Sequence, residues 1–424
     1  MQGQARLAQL SDTFPGLPRS ILLKTELLRD GVQYTPEVEE AGGSSLPFFL
    51  LWNPVHADNP KADDERMMMV PWKFDLADGT PVKLVLEKTS PYTIRKSGAV
   101  QYVLCREGEE IEPIAFEPRP DWYMTALGDG QLLPTVIQLF SRSCLFGCIL
   151  RYCEYSRTDE QCRYCSLDST VDDFQRRGFE YSISAHPDHW AEGFRRALAH
   201  GPVRHVSLTG GSLRDTHKEA AHYSKILAPL KAVRDELGSA ACFEACVSAM
   251  AEADQRRLKD AGLNVLAHHM DTWEARLWPE IVPAKSRYIG RDSCLAALER
   301  AVGIFGAGNV QSNFVVGVET VSDHGIRDAE EGLEAWRRCF ATLLQKGVLP
   351  RTTVWQSTEG AAYHGRPKPP AEYFIRVGYE RYRLIKEHRM HGQGHVYPCA
   401  RCNSWSCDLD FMRLLDGCDC AQCA

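Results

Sequence analysis

Short apolar runs alternate with amphipathic helical stretches along most of this chain, and the alternation limits the folds open to it. Each run has the length of a buried strand, and each following stretch places apolar residues at helical spacing. Strands are predicted at residues 135–140, 205–208, 243–247, 265–268, 312–318 and 352–355. Helices are predicted at residues 188–200, 218–237, 252–261, 292–305 and 329–345. Six such βα units favour a partial or complete (β/α) barrel over a flat doubly wound sheet.

The sequences on either side of this repeat differ from it. Residues 1–130 place short apolar runs between proline and glycine residues, which indicates an α+β N-terminal region. As a separate expectation, this region binds substrate or a partner. Candidate strands there are 82–86 and 100–104. Residues 371–424 begin with a predicted helix at 371–387 and end in a cysteine-rich tail. The sequence therefore predicts an α/β protein with its barrel at residues 131–370.

Composition excludes several classes of function. The 424 residues carry a formal net charge of -7, so no electrostatic footprint for nucleic acid is present. The first six residues lack the apolar core of a secretory signal, and no apolar run reaches the length of a membrane span. We therefore expect a cytoplasmic protein with no membrane or nucleic-acid partner. In a reducing compartment, cysteine clusters bind metal more often than they form disulfides.

Eleven of the sixteen cysteines lie in two tight groups. The first group comprises Cys144, Cys148, Cys153, Cys162 and Cys165. The pair at 162 and 165 is the firmest part, because two intervening residues let one turn of backbone present both sulfurs. The upstream ligand is Cys153, giving C-x8-C-x2-C, or Cys148, giving C-x13-C-x2-C, or Cys144, which would need a still longer loop. Three thiolates can hold a 4Fe–4S cluster and leave its fourth iron open, whereas a structural zinc ion would take four.

The ending Cys162-Arg163-Tyr164-Cys165 resembles the cluster loop of radical S-adenosylmethionine (radical SAM) enzymes. That family usually spaces its cysteines as C-x3-C-x2-C, and this chain lengthens the first gap. Further along, Gly210-Gly211-Ser212 follows a predicted strand and is similar to the family's Gly-Gly-Glu segment. The resemblance implies that this backbone holds the methionine amino group, although Ser212 replaces the acidic residue.

A later block is similar to biotin synthase and its relatives. It runs from Ala245 through Ser248 and a predicted helix to His268-His269-Met270-Asp271-Thr272. The resemblance implies cofactor contacts from Ser248, His269 and Asp271, and it places Arg291 at the methionine carboxylate. A guanidinium suits that role because it binds carboxylates through two charge-assisted hydrogen bonds.

These resemblances imply an oxygen-sensitive enzyme with a 4Fe–4S cluster and S-adenosylmethionine as cofactors. In this family the reduced cluster cleaves S-adenosylmethionine to a 5′-deoxyadenosyl radical, which removes hydrogen from a small-molecule substrate. An electron donor such as flavodoxin or ferredoxin is implied. Sulfur insertion, rearrangement and cofactor biosynthesis remain open as the overall reaction. The alternatives are a radical methylase or maturation enzyme acting on a partner, and a zinc-stabilised protein without catalysis.

The second cysteine group lies in the tail. Its members are Cys399, Cys402, Cys407, Cys418, Cys420 and Cys423. Two C-x2-C pairs suit either an auxiliary iron–sulfur cluster or a zinc site. Four scattered cysteines are predicted instead to be small buried apolar residues. They are Cys105, Cys242, Cys294 and Cys339.

Overall fold

A computed structural model describes residues 2–46, 70–98, 101–156, 160–176, 184–391 and 403–417. Of the predicted tail ligands, only Cys407 lies in these ranges. The other five lie outside the described residues, as does residue 100 of the predicted strand 100–104.

The N-terminal region combines three helices with small antiparallel sheets. The helices are α1 (Gln2–Thr13), α2 (Arg19–Asp30) and α3 (Pro36–Ser44). The strands are β1 (Lys73–Asp75), β2 (Pro81–Lys83), β3 (Tyr92–Ser97), β4 (Gln101–Arg106) and β5 (Glu109–Ile114). β1 pairs with β2, and β3, β4 and β5 form an antiparallel meander. Two turns of 3₁₀ helix, Asp121–Met124 and Leu133–Thr135, lead into the central sheet.

The central sheet has seven strands in the order β12-β11-β10-β9-β8-β7-β6 and curls into a half barrel. Its strands are β6 (Gln138–Ser141), β7 (Cys144–Leu150), β8 (His205–Gly210), β9 (Cys242–Val247), β10 (Val265–His268), β11 (Val310–Val316) and β12 (Leu349–Val354). β7 to β12 are parallel, and β6 runs antiparallel to β7 at one edge. The predicted partial (β/α) barrel is thus confirmed.

Helices connect successive strands and cover the outside of the sheet. The longer ones are α4 (Leu167–Arg176), α5 (Pro187–His200), α6 (Thr216–Glu236) and α7 (Glu252–Asp260). They continue with α8 (Trp278–Ile281), α9 (Pro283–Tyr288), α10 (Arg291–Phe305), α11 (Val318–Val321) and α12 (Ala329–Gln345). The local sequence fixes where two of these helices begin. The side chains of Asp215 and Asp328 cap α6 and α12 by accepting hydrogen bonds from backbone N–H groups of the first turn. No helix in the described part of the chain is long and apolar enough to cross a membrane.

The first strand of the repeat lies later in the chain than predicted. Residues 135–140 overlap only the antiparallel edge strand β6, and the first parallel strand is β7, which carries Cys144 and Cys148. Here Gly147 packs against Trp190 of α5, and a Cβ at Gly147 would lie 2.3 Å from the indole ring. The sequence interpretation took Cys148 as a candidate cluster ligand and predicted no strand at residues 144–150, and so overlooked a continuous, largely buried strand.

The C-terminal segment packs against both the N-terminal region and the barrel. α13 (Ala371–Glu387) is followed, within residues 403–417, by α14 (Asp410–Asp416). The ammonium of Lys24, fully buried in α2, donates to the Asp410 carboxylate (2.6 Å) and to the carbonyl oxygen of Asn403 (2.7 Å). Asp408 accepts from the backbone N–H of Thr352 in β12 (2.8 Å). Polar contacts therefore hold this segment against two other parts of the fold.

Candidate active site

A cavity of about 360 Å³ lies inside the curl of the half barrel. Its cysteine end is formed by residues at the carboxyl ends of the strands and in the loops that follow them, where ligands bind in parallel α/β folds. These are Cys153, Tyr155, Cys162, Tyr164, Cys165, Gly210, Gly211, Ser212, Glu219, Ser248, His269, Asp271 and Lys285. Its aromatic end is formed by residues earlier in the strands and from both terminal regions. These include Trp72, Lys83, Phe140, Phe146, Glu244, Gln311, Arg351 and Trp405.

The three cysteines of the cysteine end lie in the loop that follows β7. The backbone N–H of Cys165 donates to the carbonyl oxygen of Cys162 (2.9 Å), so a single turn carries both thiols. Arg163 between them anchors this turn, because its N–H donates to Ile281 and its carbonyl accepts from Tyr363, both at 2.9 Å. The loop is therefore fixed against α8 and against the chain after β12.

The environment of these thiols fits an iron–sulfur cluster. Burial raises the pKa of Cys153, raises that of Cys165 to about 12, and raises that of Cys162 further. A metal reverses this preference by stabilising the thiolate. Among the described residues, no three His, Cys, Asp or Glu side chains lie close enough to share one metal ion. A 4Fe–4S cluster is held by cysteine thiolates, and three cysteines of one loop line this cavity, so their chemistry fits such a cluster.

Cys148 and Cys144 lie outside the lining of the cavity. Cys148 is 5% exposed, packs with Leu167 and Val171, and its thiol donates to the carbonyl oxygen of Leu150 (3.4 Å). The Cys144 sulfur lies 3.5 Å from Nδ1 of His205, near the start of β7. Cys153, in contrast, lines the cavity together with the C-x2-C pair.

The Gly-Gly-Ser segment packs directly on the cysteine loop. A Cβ at Gly211 would lie 2.0 Å from the carbonyl oxygen of Tyr152, and one at Gly210 would lie 2.8 Å from atoms of Leu150. The carbonyl oxygen of Ser212 accepts from the N–H of Glu154 (2.9 Å). The end of β8 lies so close to the cysteine loop that only glycine fits at positions 210 and 211. A close approach of backbone to a ligand is a second use for the same two glycines.

Glu219 supplies a buried carboxylate beside this segment. It accepts hydrogen bonds from the backbone N–H (2.7 Å) and hydroxyl (2.9 Å) of Ser248, and from the N–H of Leu213 (2.8 Å). Burial raises its pKa despite these donors. Sequence reasoning missed this residue because it sits on the first turn of α6, seven positions after Ser212.

His269 and Asp271 line the cavity after β10. The backbone N–H of Asn313 donates to Nδ1 of His269 (3.1 Å), and burial lowers the pKa of this histidine to about 4, so its ring is neutral. Asp271 has a left-handed backbone (φ 66°), a conformation that Asp tolerates better than most residues. Its carboxylate pairs with Lys285 of α9, whose ammonium also donates to the carbonyl oxygen of His269 (3.0 Å).

Arg291 lies outside the lining of the cavity. Its Nε donates to the carbonyl oxygen of Trp273 (2.8 Å), and its guanidinium stacks 4.3 Å from the centre of that indole ring. The cation present in the cavity at this side is Lys285, which sequence reasoning also missed. Lys285 in α9 lines the cavity, whereas Arg291, six residues later at the start of α10, does not.

The remaining cysteines divide into a core set and the tail. The prediction for Cys105, Cys242, Cys294 and Cys339 is confirmed, since all four are buried. The thiol of Cys407 lies 3.4 Å from the hydroxyl of Thr25 in α2, away from the cavity.

Fold and site together describe an open (β/α) barrel with a three-cysteine loop at the carboxyl end of its first parallel strand. No protein-family model matches the sequence, and no curated protein matches it. Solved structures do match. A methylornithine synthase (PylB) is 18% identical, with alignment over 62% of this chain and 68% of that one and a TM-score of 0.42.

Two further structures are similar at the same level. The [FeFe]-hydrogenase maturase HydG is 12% identical over 57% of this chain and 49% of its own length, with a TM-score of 0.42. A radical SAM methyltransferase from Sphaerobacter thermophilus is 16% identical over 73% of this chain and 77% of its own, with a TM-score of 0.37. At these identities the likeness concerns the fold alone. A structure described as a radical SAM methyltransferase is thus among those that this chain resembles in fold.

Proposed function

We propose that the protein is a radical SAM enzyme that acts on a small molecule. The observation that supports this most is the shared cavity of Cys153, Cys162 and Cys165 with Gly210-Gly211-Ser212. Two motifs that lie some fifty residues apart in sequence come together at the carboxyl ends of adjacent parallel strands, where a cofactor could contact both.

In this proposal Cys153, Cys162 and Cys165 hold a 4Fe–4S cluster, and Cys148 is a core residue. When bound, the cluster supplies the electron that cleaves S-adenosylmethionine to methionine and a 5′-deoxyadenosyl radical, which takes hydrogen from the substrate. The chain itself binds the reactants, orients them and keeps water away from them. Residues of the N-terminal region and of the C-terminal segment that line the cavity keep water away from the reactants.

Polar groups at the cysteine end match the polar groups of S-adenosylmethionine. We assign the backbone of Gly210 to Ser212 and the carboxylate of Glu219 to the methionine ammonium. Lys285 takes the carboxylate role that the resemblance gave to Arg291, because an ammonium buried in the cavity can bind an anion there. Ser248, His269 and Asp271 complete the contacts as cofactor-binding residues.

The remaining expectations stay part of the proposal. They are membership of the biotin synthase-like branch, reduction by a flavodoxin or ferredoxin, a cytoplasmic location and the division at residues 130 and 370. An auxiliary iron–sulfur cluster or zinc site in the tail is also proposed, on the spacing of its cysteines.

The experiment that tests the function is anaerobic purification, reconstitution with iron and sulfide, reduction, and measurement of 5′-deoxyadenosine formed from S-adenosylmethionine. Iron and zinc are counted in the same preparation. Formation of 5′-deoxyadenosine with about four irons supports one cluster, and about eight support a second cluster in the tail. Stoichiometric zinc without iron and without 5′-deoxyadenosine would move the protein to the zinc-stabilised class.

A further inference from the structure

The aromatic end of the cavity is walled by rings in mutual contact. Phe140 stacks on Trp72 with centroids 4.4 Å apart and on Phe146 with centroids 4.2 Å apart. Trp405 meets Phe140 edge to face at 5.1 Å. These rings come from the N-terminal region, the start of the sheet and the C-terminal segment, and all four line the cavity. Such a wall favours a flat ligand body.

Polar side chains of the sheet continue this wall. Phe146 in β7 is the direct neighbour of Ser207 in β8, and Ser207 is the direct neighbour of Glu244 in β9. All three side chains line the cavity, as does that of Gln311 in β11. Adjacent strands lie about 4.8 Å apart, so the edge of a flat ring packed on Phe146 lies within reach of Ser207 and Glu244.

Two neutral groups of this polar wall are open to a ligand. The side-chain oxygen of Gln311 accepts from the guanidinium of Arg351 (3.2 Å), which can only donate, so the amide nitrogen of Gln311 points elsewhere. Neither this nitrogen nor the hydroxyl of Ser207 has a hydrogen-bond partner among the described residues. Gln311 is 2% exposed and Ser207 7% exposed. Buried polar groups of this kind need a partner once a ligand has displaced water from the cavity.

Glu244 is an ionised carboxylate with one oxygen still available. Its Oε2 lies 3.1 Å from Nε2 of His205. Burial would raise the pKa of Glu244, but His205 and Arg351 hold it below its ordinary value. Although burial alone would lower it, Cys144 and Glu244 raise the pKa of His205 to about 10, so the ring is protonated and donates. The partner that the described residues give to Oε1 is the weak thiol donor of Cys246, at 3.9 Å, so Oε1 can accept from a ligand.

The cations of the aromatic end already have partners. The guanidinium of Arg351 lies 3.6 Å from the carboxylate of Asp408. The ammonium of Lys83 lies over the ring of Trp72, 5.6 Å from its centre. With Glu244 paired to His205 as well, the groups left open for a ligand are two neutral donors and one carboxylate oxygen. These groups suit a neutral ligand better than a charged one.

We propose that the aromatic end binds a neutral substrate whose flat body carries an amide-type edge, in which a carbonyl oxygen lies beside an N–H group. The carbonyl oxygen accepts from the amide of Gln311 and the hydroxyl of Ser207, and the N–H group donates to Oε1 of Glu244. The four rings cover the faces of the body. Aromatic carboxamides and flat lactams belong to this class. The inference rests on the proposed function in one respect, namely that the cavity next to the cysteines receives the substrate.

The test uses four probes of nearly one shape that differ in a single planar substituent on a phenyl ring. Isothermal titration calorimetry of the full-length, anaerobically reconstituted protein measures binding of benzamide, acetophenone, benzoate and benzamidinium. Benzamide alone carries both the neutral acceptor and the donor, so we expect it to bind about tenfold or more tightly than each of the others. Equal or tighter binding of any other probe, or no binding of benzamide, overturns the inference.

Glu244→Gln tests the contact to the N–H group. His205 continues to donate to the side-chain oxygen at position 244, so the new amide nitrogen faces the ligand and cannot accept from it. Benzamide should therefore bind about tenfold more weakly, whereas acetophenone, which has no N–H group, should bind at least as tightly as before. General damage to the cavity would weaken both probes alike. A preference for benzamide equal to that of the wild type contradicts the assignment.

Gln311→Leu tests the contact to the carbonyl oxygen. Benzamide and acetophenone should both bind about fivefold or more weakly, because both lose the same donor. The matched control is Gln345→Leu, which removes an exposed glutamine at the end of α12 and should change neither affinity. Wild-type affinity of both probes in Gln311→Leu contradicts the assignment. If this variant fails to fold, the ratio of the two affinities in Glu244→Gln still decides.

Formation of 5′-deoxyadenosine is measured in the same preparations. Cleavage of S-adenosylmethionine without a preference for benzamide overturns the substrate class and leaves the enzyme class in place. A preference for benzamide without cleavage upholds the site and removes the proposed function.

Discussion

Gly211 and Tyr152 approach so closely that a single methyl group on Gly211 would lie 2.0 Å from the carbonyl oxygen of Tyr152. The same methyl group would lie 2.9 Å from Cα of Cys153. The end of β8 and the start of the cysteine loop are therefore fitted to each other through backbone alone. Because Cys153 follows Tyr152 directly, a displacement at this contact moves a proposed cluster ligand.

Gly211→Ala should consequently lower iron retention and 5′-deoxyadenosine formation, each about tenfold or more, since the clash is with backbone that cannot rotate away. Iron content after gel filtration and the rate of 5′-deoxyadenosine formation measure this. The control is Gly303→Ala in α10, where a Cβ meets no atom within 4 Å. That control should keep wild-type iron and change the free energy of unfolding by about 1 kcal/mol or less. An iron content equal to that of the wild type in Gly211→Ala would show that the cysteine loop can move to accommodate the added methyl group.

The upstream cluster ligand is decided by comparing two alanine substitutions. Cys153→Ala should abolish iron–sulfur absorbance and cleavage of S-adenosylmethionine, because it removes one of the three thiolates that the cysteine loop places in the cavity. Cys148→Ala should retain both and lose packing in the buried cluster that Cys148 forms with Leu167 and Val171, against which Cys153 and Cys165 pack. We expect it to unfold about 1 to 2 kcal/mol more easily in urea. The reverse pattern would make Cys148 the ligand and the C-x13-C-x2-C spacing the motif.

The affinity for S-adenosylmethionine shows which of Lys285 and Arg291 binds the methionine carboxylate. Lys285→Met should raise its dissociation constant about tenfold or more, because a charge-assisted contact to the methionine carboxylate is lost. Arg291→Met should change the dissociation constant by less than about twofold, because its guanidinium stacks on Trp273 outside the cavity lining. Equilibrium dialysis with the reconstituted protein measures both. Iron content serves as the control that Lys285→Met still folds, and a large effect of Arg291→Met with none of Lys285→Met would restore the assignment made from sequence.

The sequence was sufficient for the barrel because helix and strand periods alternate clearly along residues 200–355. Its five later strands and five main helices lie where the apolar runs and the helical spacing place them. It failed at β7, since Cys144 and Cys148 are apolar strand residues there, and cysteine chemistry concealed the strand pattern. Thiols that bury well and thiols that bind metal look alike in a sequence.

The site was predictable only where its residues follow one another along the chain. The C-x2-C pair and Gly210-Gly211 are local patterns, whereas Glu219 and Lys285 enter the cavity from helices whose rotation no short motif specifies. Lys83 and Trp405 are less accessible still to sequence reasoning, because they come from regions outside the βα repeat. Their placement depends on contacts between the two terminal regions, such as the hydrogen bond from the Lys83 N–H to the carbonyl oxygen of Ser404 (2.9 Å).

The buried ion pair between Lys24 and Asp410 should control how the C-terminal segment docks. Both side chains are fully buried, so Lys24→Met removes the cation that donates to the Asp410 carboxylate and leaves only the more distant guanidinium of Arg413, at 3.9 Å, among its described partners. We expect a loss of about 3 to 5 kcal/mol in the free energy of unfolding, measured by urea denaturation. Adding Asp410→Leu to this variant should recover most of the loss, because the remaining charge is removed as well. The exposed pair of Lys231 and Asp235 provides the control, and Lys231→Met should leave stability unchanged. A double variant as unstable as Lys24→Met alone would instead assign the loss to the hydrogen bond from Lys24 to the carbonyl of Asn403, and a stable Lys24→Met would show that the segment docks without this pair.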